Sequence, residues 1–381
     1  MITPERSLRA WLDRPLVTAL AAVLFGCIVV AAQLAREGDV SAFVRAAPPW
    51  VNAAAVPADL HVGSAGYDGE FYYALALDPL TDRRTDHGVT LDLPAYRQQR
   101  IVYPLLAWAV SLGDARRVPW ALVIVNLVGL AAIGWLGGRL AHGARRHASW
   151  GLLFALYPGF VITLTSDLTE IVAASFVLAA LLWLRGRRTV RAAGALSLAV
   201  LSRETTVLLA AVAGLAALVA SWRRPRRWVP LLLPGIVFVG WQLFLAAHWH
   251  EAATREGATA VSLPFLGLLV ALWADPQRFA PLRLAVWAAI VVFVVAMVLI
   301  GVRSVGSART PHERWAFYAY LALATVLEVN IWATGAVLRA LTELAMLTAL
   351  LALGSSRSLR VSLLGAEVAL SFVLVATGLR I

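Results

Sequence analysis

Lysine is missing from this chain of 381 residues, and all 33 of its basic residues are arginine. Schiff-base chemistry on a lysine amine is therefore excluded, and phosphate can be met only by the permanently charged, forked guanidinium among side chains of this kind. Cysteine occurs once, at Cys27, so no disulfide can form within the chain. Charge is also scarce. Only 14% of residues are charged, against about a quarter in a soluble domain, while 60% are hydrophobic. Walker, dinucleotide-binding and zinc-protease motifs are absent, which argues against energy from nucleotide binding on this chain.

What the chain has instead is apolar length. Runs approaching the about 20 residues needed to cross a hydrocarbon core recur between short arginine clusters. The alternating segments of an outer-membrane barrel do not occur. The expected fold class is all-α: a polytopic integral membrane protein in a single domain spanning 1–381, with no separate soluble domain. Spans are expected near 15–36, 118–140, 149–165, 168–185, 190–202, 204–221, 228–248, 281–303, 314–331, 333–353 and 359–379, about eleven transmembrane helices in all. The loops 37–117 and 249–280 are long. Arg6, Arg9 and Arg14 before an apolar run have the outline of a secretory signal, and Leu24-Phe25-Gly26-Cys27 that of a lipoprotein cleavage box. A retained first helix fits better, because Pro15 to Ala35 is long enough to span and Phe25 is bulky where a cleavage box prefers a small or β-branched residue.

The formal charge of +11 has the same origin. With the amino terminus inside, Arg145/Arg146, Arg185 to Arg191, Arg223 to Arg227, Arg303 to Arg314 and Arg357/Arg360 all fall on the cytoplasmic side, so they orient helices rather than bind nucleic acid. Two assignments underlie this agreement. Residues 190–221 must form two short helices meeting at Ser202-Arg203-Glu204, and 101–112 must be a helix lying on or dipping into the outer surface. Arg116 and Arg117 fit poorly outside.

This arrangement gathers the unusual residues toward one face. Tyr67-Asp68-Gly69-Glu70-Phe71-Tyr72-Tyr73 lies in the first outer loop, Asp167 and Glu170 at an outer turn, Arg203 and Glu204 at the apex of the short helices, and Asn330 at another turn with Arg339 in the next span. Ionisable groups at membrane depth are expensive and are paired or functional. Each also has a plainer reading. Asp68 suits an N-cap for a helix over Glu70 to Leu77 ending at Asp78-Pro79, although a cap needs no neighbouring aromatics. Arg339 and Glu343, four apart, can neutralise each other. Glu328 and Glu367 read as packing groups. Arg97 and Arg100, just before an apolar helix, either snorkel to headgroups or grip a phosphate. His248, His250 and Glu251 suggest a metal, but a membrane-edge position suits interfacial histidines better.

An aromatic-Asp-Gly-x-x-Tyr element in the first outer loop resembles the signature of GT-C membrane glycosyltransferases, especially their bacterial mannosyltransferase-like branch. Tyr157-Pro158 followed by Ser166-Asp167-Leu168-Thr169-Glu170, then Ser202-Arg203-Glu204-Thr205 and a late arginine at Arg339, resemble further elements of that branch in the same order. The resemblance implies transfer of a sugar from a polyprenyl-phosphate donor to a cell-envelope glycan or glycolipid acceptor, at the non-cytoplasmic face of a bacterial inner membrane, inverting the anomeric centre. On that reading Asp68 is the general base and Arg203, Arg339, Arg97 and Arg100 hold the phosphate. Tyr67, Glu70, Tyr72, Asp167, Glu170, Glu204 and Asn330 complete the substrate-binding set. No cofactor is expected. A divalent cation is not favoured, because Asp68 is followed by Gly69 and too few oxygen ligands accompany Glu70. Partners are the lipid-linked donor, the acceptor and membrane lipids. The rival classes are a transporter or lipid flippase, whose site would lie near the midplane of repeated halves, and a non-catalytic envelope-assembly protein.

Overall fold

A computed structural model describes residues 11–57, 59–253, 261–273 and 280–378. Arg6 and Arg9, and parts of the 249–280 loop, lie outside these. The described chain is mostly helical, and its one sheet is a hairpin of two two-residue strands, Thr85–Asp86 with Val89–Thr90. In chain order the helices are α1 (Pro15–Glu37), α2 (Gly69–Leu77), α3 (Pro94–Gln98), α4 (Val102–Ser111), α5 (Val118–Gly143), α6 (Leu152–Ala155), α7 (Gly159–Leu164), α8 (Glu170–Arg185) and α9 (Thr189–Ser202). There follow α10 (Val207–Ser221), α11 (Leu233–Trp249), α12 (Leu266–Trp273), α13 (Pro281–Ser304), α14 (Pro311–Thr325), α15 (Val329–Ala333), α16 (Ala336–Ala340), α17 (Thr342–Gly354) and α18 (Arg357–Thr377).

Among the described residues, six helical stretches are long and apolar enough to cross a membrane: Pro15–Glu37, Val118–Gly143, Glu204–Ser221, Val229–Trp249, Pro281–Ser307 and Arg357–Thr377. They point to a membrane-embedded protein and correct the expectation of eleven spans. The apolar run at 149–165 breaks after Ala155, where Pro158 lacks the N–H that would continue the ladder, and restarts at Gly159. The run at 333–353 is divided into α16 and α17 after an extended Thr334. The helix within 314–331 stops at Thr325, and those at 168–185 and 190–202 have 16 and 14 residues. These pieces are apolar because they are buried against other helices, and hydropathy does not distinguish that environment from lipid.

Helices α1 and α5 form a close pair. A Cβ at Gly134 would stand 2.7 Å from the Thr18 carbonyl oxygen, so the missing side chain lets the two backbones touch, as small residues do between apolar helices.

Hydrogen bonds sort the loops into two ends. Asp13 accepts from the Ala148 N–H and faces His142, Arg185 pairs with Glu313, Arg309 reaches the Gly143 carbonyl and Arg360 the Ser355 carbonyl. This end collects the arginine clusters. At the other, Arg45, Tyr67, Gln98 and Arg100 of the long loop meet the 165–169 turn, α16, the end of α11 and the α9–α10 junction. Two expected pieces of local secondary structure are found there. Helix α9 ends at Ser202, Arg203 is extended, and Glu204–Thr206 forms a short 3₁₀ turn into α10. The segment 101–112 is the ten-residue helix α4.

Candidate functional site

Asp68 stands at the N-cap position of α2 with already helical dihedrals (φ −52°, ψ −25°), and its side chain makes no capping bond. The carboxylate is committed elsewhere. Oδ1 accepts from Arg97 Nη1 at 2.8 Å, and Oδ2 from Arg339 Nη2 at 2.9 Å. Gly69 explains how the chain reaches this spot: a Cβ there would lie 2.5 Å from the Ser166 carbonyl oxygen and 2.6 Å from that of Val44. Helix α2 therefore starts directly against the 165–169 turn.

Arg339 joins three elements. Its Nε donates to Glu170 Oε1 at 2.9 Å and its Nη1 to the Tyr67 hydroxyl at 2.6 Å, besides the bond to Asp68. Arg97 is fixed from behind by Asp92, with Nε to Oδ1 at 2.8 Å and Nη2 to Oδ2 at 2.7 Å, and its guanidinium lies over the Phe71 ring at 4.1 Å. Beside them Arg100 grips Glu204 bidentately at 2.8 and 2.5 Å and donates to the hydroxyls of Tyr72 and Tyr96. Such forked pairs are geometrically specific as well as strong. Arg203 lies 3.5 Å from Glu343, which accepts from Thr205.

The structure thus brings together Tyr67, Asp68, Arg97, Glu170 and Arg339 in one network and Tyr72, Arg100 and Glu204 in an adjoining one. Arg203, next in sequence to Glu204, pairs separately with Glu343. The intrahelical Arg339–Glu343 pair does not form, since each finds a partner on another element. Glu70 turns away from Asp68, and its Oε2 accepts from the Ala47 N–H at 3.0 Å. Asp167 is fully buried with both oxygens unbonded, at φ +48°. Asn330 is exposed and donates to Glu328. Glu70, Asp167 and Asn330 therefore do not join the cluster. His248 faces the Thr81 carbonyl, and Glu251 accepts from Arg84 and the Ala95 N–H. Asp92, Tyr96, Arg45 and Glu343 are participants that sequence reasoning did not place in the site. Asp92 and Tyr96 carry the one local signal, Asp92 just before and Tyr96 within the short Pro-initiated helix that holds Arg97.

The electrostatics separate the two neighbouring acids. Burial would push the Asp68 carboxyl up, but Arg339, then Arg97 and Arg100, outweigh it and hold the group well below the usual carboxylate range. Burial, opposed by the Ala47 amide, pushes the Glu70 carboxyl up to about 7. Burial also pushes the Tyr72 hydroxyl up to about 12, so it keeps a proton to donate while accepting from Arg100. The Asp68 side chain remains 23% exposed and Glu204 26%, so both carboxylates stay within reach of a ligand. An ionised carboxylate, phenol hydroxyls and several guanidinium groups at an open edge can order a polyhydroxylated molecule and balance an anion. Comparison with protein-family models, curated proteins and solved structures finds no match for the chain.

Proposed function

We propose that the chain is a membrane glycosyltransferase that moves a sugar from a polyprenyl-phosphate donor to a cell-envelope glycan or glycolipid acceptor. The observation that carries this reading is Asp68, ionised, partly open and held between Arg97 and Arg339 among Tyr67, Tyr72, Glu170 and Glu204. The acceptor hydroxyl attacks the anomeric carbon, the bond from that carbon to the phosphate oxygen breaks, and the hydroxyl proton passes to Asp68. The phosphate leaves as an anion toward arginine, with inversion at the sugar.

Two guanidinium groups make Asp68 a weak base at rest. A donor phosphate that draws Arg339 or Arg97 toward itself loosens their hold and raises the basicity of Asp68, which ties proton removal to donor occupancy. We favour a metal-independent route, because the carboxylates nearest the reaction are already bonded to guanidinium groups. The arginine-rich end is assigned to the cytoplasm by the positive-inside rule, which puts Asp68 on the opposite face of a bacterial inner membrane. The position of the cluster at helix ends favours transfer at a surface over transport through a midplane site.

The test is analysis of lipid-linked sugars and envelope glycans in cells with and without the protein. Accumulation of a polyprenyl-phosphate sugar in its absence is the expected result. No change in any glycolipid or glycan would defeat the reading.

A further inference from the structure

Four arginines near Asp68 already have acidic partners. Arg97 has Asp68 and Asp92, Arg100 has Glu204, Arg339 has Asp68 and Glu170, and Arg203 has Glu343. Arg45 differs. Among the described residues it makes no ion pair, and its Nη1 donates only to the Ser166 hydroxyl at 3.3 Å; its Nε, like Arg203 Nη1, is buried with no hydrogen-bond partner. A buried guanidinium N–H without an acceptor is costly, so a ligand that supplies one is favoured.

Arg45 also lines a crevice with Gln33, Arg36, Thr165, Ser166 and Gly378, where the ends of α1, α7 and α18 meet. All three helices end here in carbonyls, which would repel an anion, but Arg36 donates to those of Val375 and Ala376 in α18, the Gly38 N–H to that of Leu34 in α1 and the Thr165 N–H to that of Val161 in α7. Val29 and Val375 line both this crevice and a second groove, between α1 and α18, which is walled by Phe25, Ile28, Val368 and Phe372 and is almost wholly apolar. An uncommitted cation thus sits at the head of an apolar trough. The crevice lies beside the proposed reaction centre, because Arg45 and Arg339 both lie over the Tyr67 ring, at 4.9 and 5.0 Å.

We infer that Arg45 binds the phosphate of a long-chain lipid monophosphate whose hydrocarbon tail lies in the groove between α1 and α18. The site deepens the glycosyltransferase reading and rests on it for the identification of the lipid as sugar donor. It moves the first phosphate contact from the four paired arginines to the one without a carboxylate. A phosphate held there is one aromatic ring from the Arg339–Asp68 pair.

The experiment measures binding of undecaprenyl monophosphate to the full-length protein in nanodiscs, with undecaprenol and inorganic phosphate as controls. Arg45→Gln is expected to weaken binding at least tenfold with an unchanged melting temperature. Ile28→Trp, which fills the groove from an exposed position, is expected to do the same for undecaprenyl monophosphate and to leave inorganic phosphate unaffected. Arg185→Gln, at the far end, leaves both unchanged. Wild-type affinity in Arg45→Gln, equal binding of undecaprenol, or insensitivity to Ile28→Trp overturns the assignment, as does an absence of binding by the wild type. Arg45-dependent binding without sugar transfer from any lipid-linked sugar upholds the lipid site and defeats the glycosyltransferase reading instead.

Discussion

At each end of the helix bundle an arginine meets a buried carboxylate, but the two ends are built for different ends. At the arginine-rich end, Arg185 in the last turn of α8 clasps Glu313 in the first turn of α14 at 2.6 and 3.0 Å, and the Arg309 N–H adds a third bond to the same carboxylate at 3.0 Å. Glu313 is fully buried, and both of its oxygens are bonded. Each charge also lies at the helix end whose dipole favours it. That is a staple between helices. At the Asp68 end the carboxylates keep open surface, aromatic hydroxyls crowd around them, and Asp167 and Glu343 retain unbonded oxygens. The difference lies in openness rather than in pairing: Arg185 Nη1 and Arg360 Nε are also buried without a partner, but the Glu313 carboxylate is sealed whereas Asp68 and Glu204 are not.

Removing an arginine from each end should separate the two roles most strongly. Arg339→Gln leaves Glu170 without its guanidinium partner and Asp68 with Arg97 alone, and is expected to lower sugar transfer by roughly 10³-fold, well beyond what its loss of folded protein explains. Arg185→Gln strands Glu313 and is expected to cost about 3–5 kcal/mol of stability while leaving transfer per folded molecule within about twofold of wild type. Transfer assays normalised to folded protein, with melting temperatures, read both. Equal losses of transfer in the two variants would erase the distinction.

A smaller effect sharpens the comparison within the Asp68 end. The Glu70 carboxyl is raised from 4.5 to about 7 in the fold, so the folded state holds its proton more tightly than the unfolded chain. Its stabilising share is complete below the unfolded value and disappears as pH rises through about 7. Glu70→Gln is therefore expected to melt close to wild type at pH 5 and above it at pH 8.5, by on the order of 1–3 kcal/mol. A pH-independent difference in melting temperature would contradict the assignment. Asp68, depressed instead, stays ionised over the same range.

Much of this arrangement is legible from residue chemistry. The first span, the long 118–143 helix, the break at Ser202-Arg203-Glu204 and the helix after Asp68 follow from apolar length, caps and local polarity. The grouping of Asp68, Glu170, Arg203 and Arg339 follows from the side on which an alternating chain must place them. The number of spans does not, because an apolar helix packed inside protein and one facing lipid have the same composition, and breaks at Pro158 and Thr334 leave little trace in a hydropathy sum. Glu70 is two residues from Asp68 and yet bonds to Ala47, since successive helical positions point about 100° apart. Arg45 gives no sequence signal at all. It lies 23 residues before Asp68 and reaches the site only through the left-handed bend at its own backbone (φ +55°) and the packing of Tyr67.

The most direct test of Asp68 as the reacting carboxylate is sugar transfer by purified Asp68→Asn protein from polyprenyl-phosphate-linked sugars, measured beside its melting temperature and its binding of undecaprenyl monophosphate. A loss of transfer of about 10²–10⁴-fold, with folding and lipid binding retained, is expected for removal of a general base. Transfer at the wild-type rate in the folded variant would contradict that role.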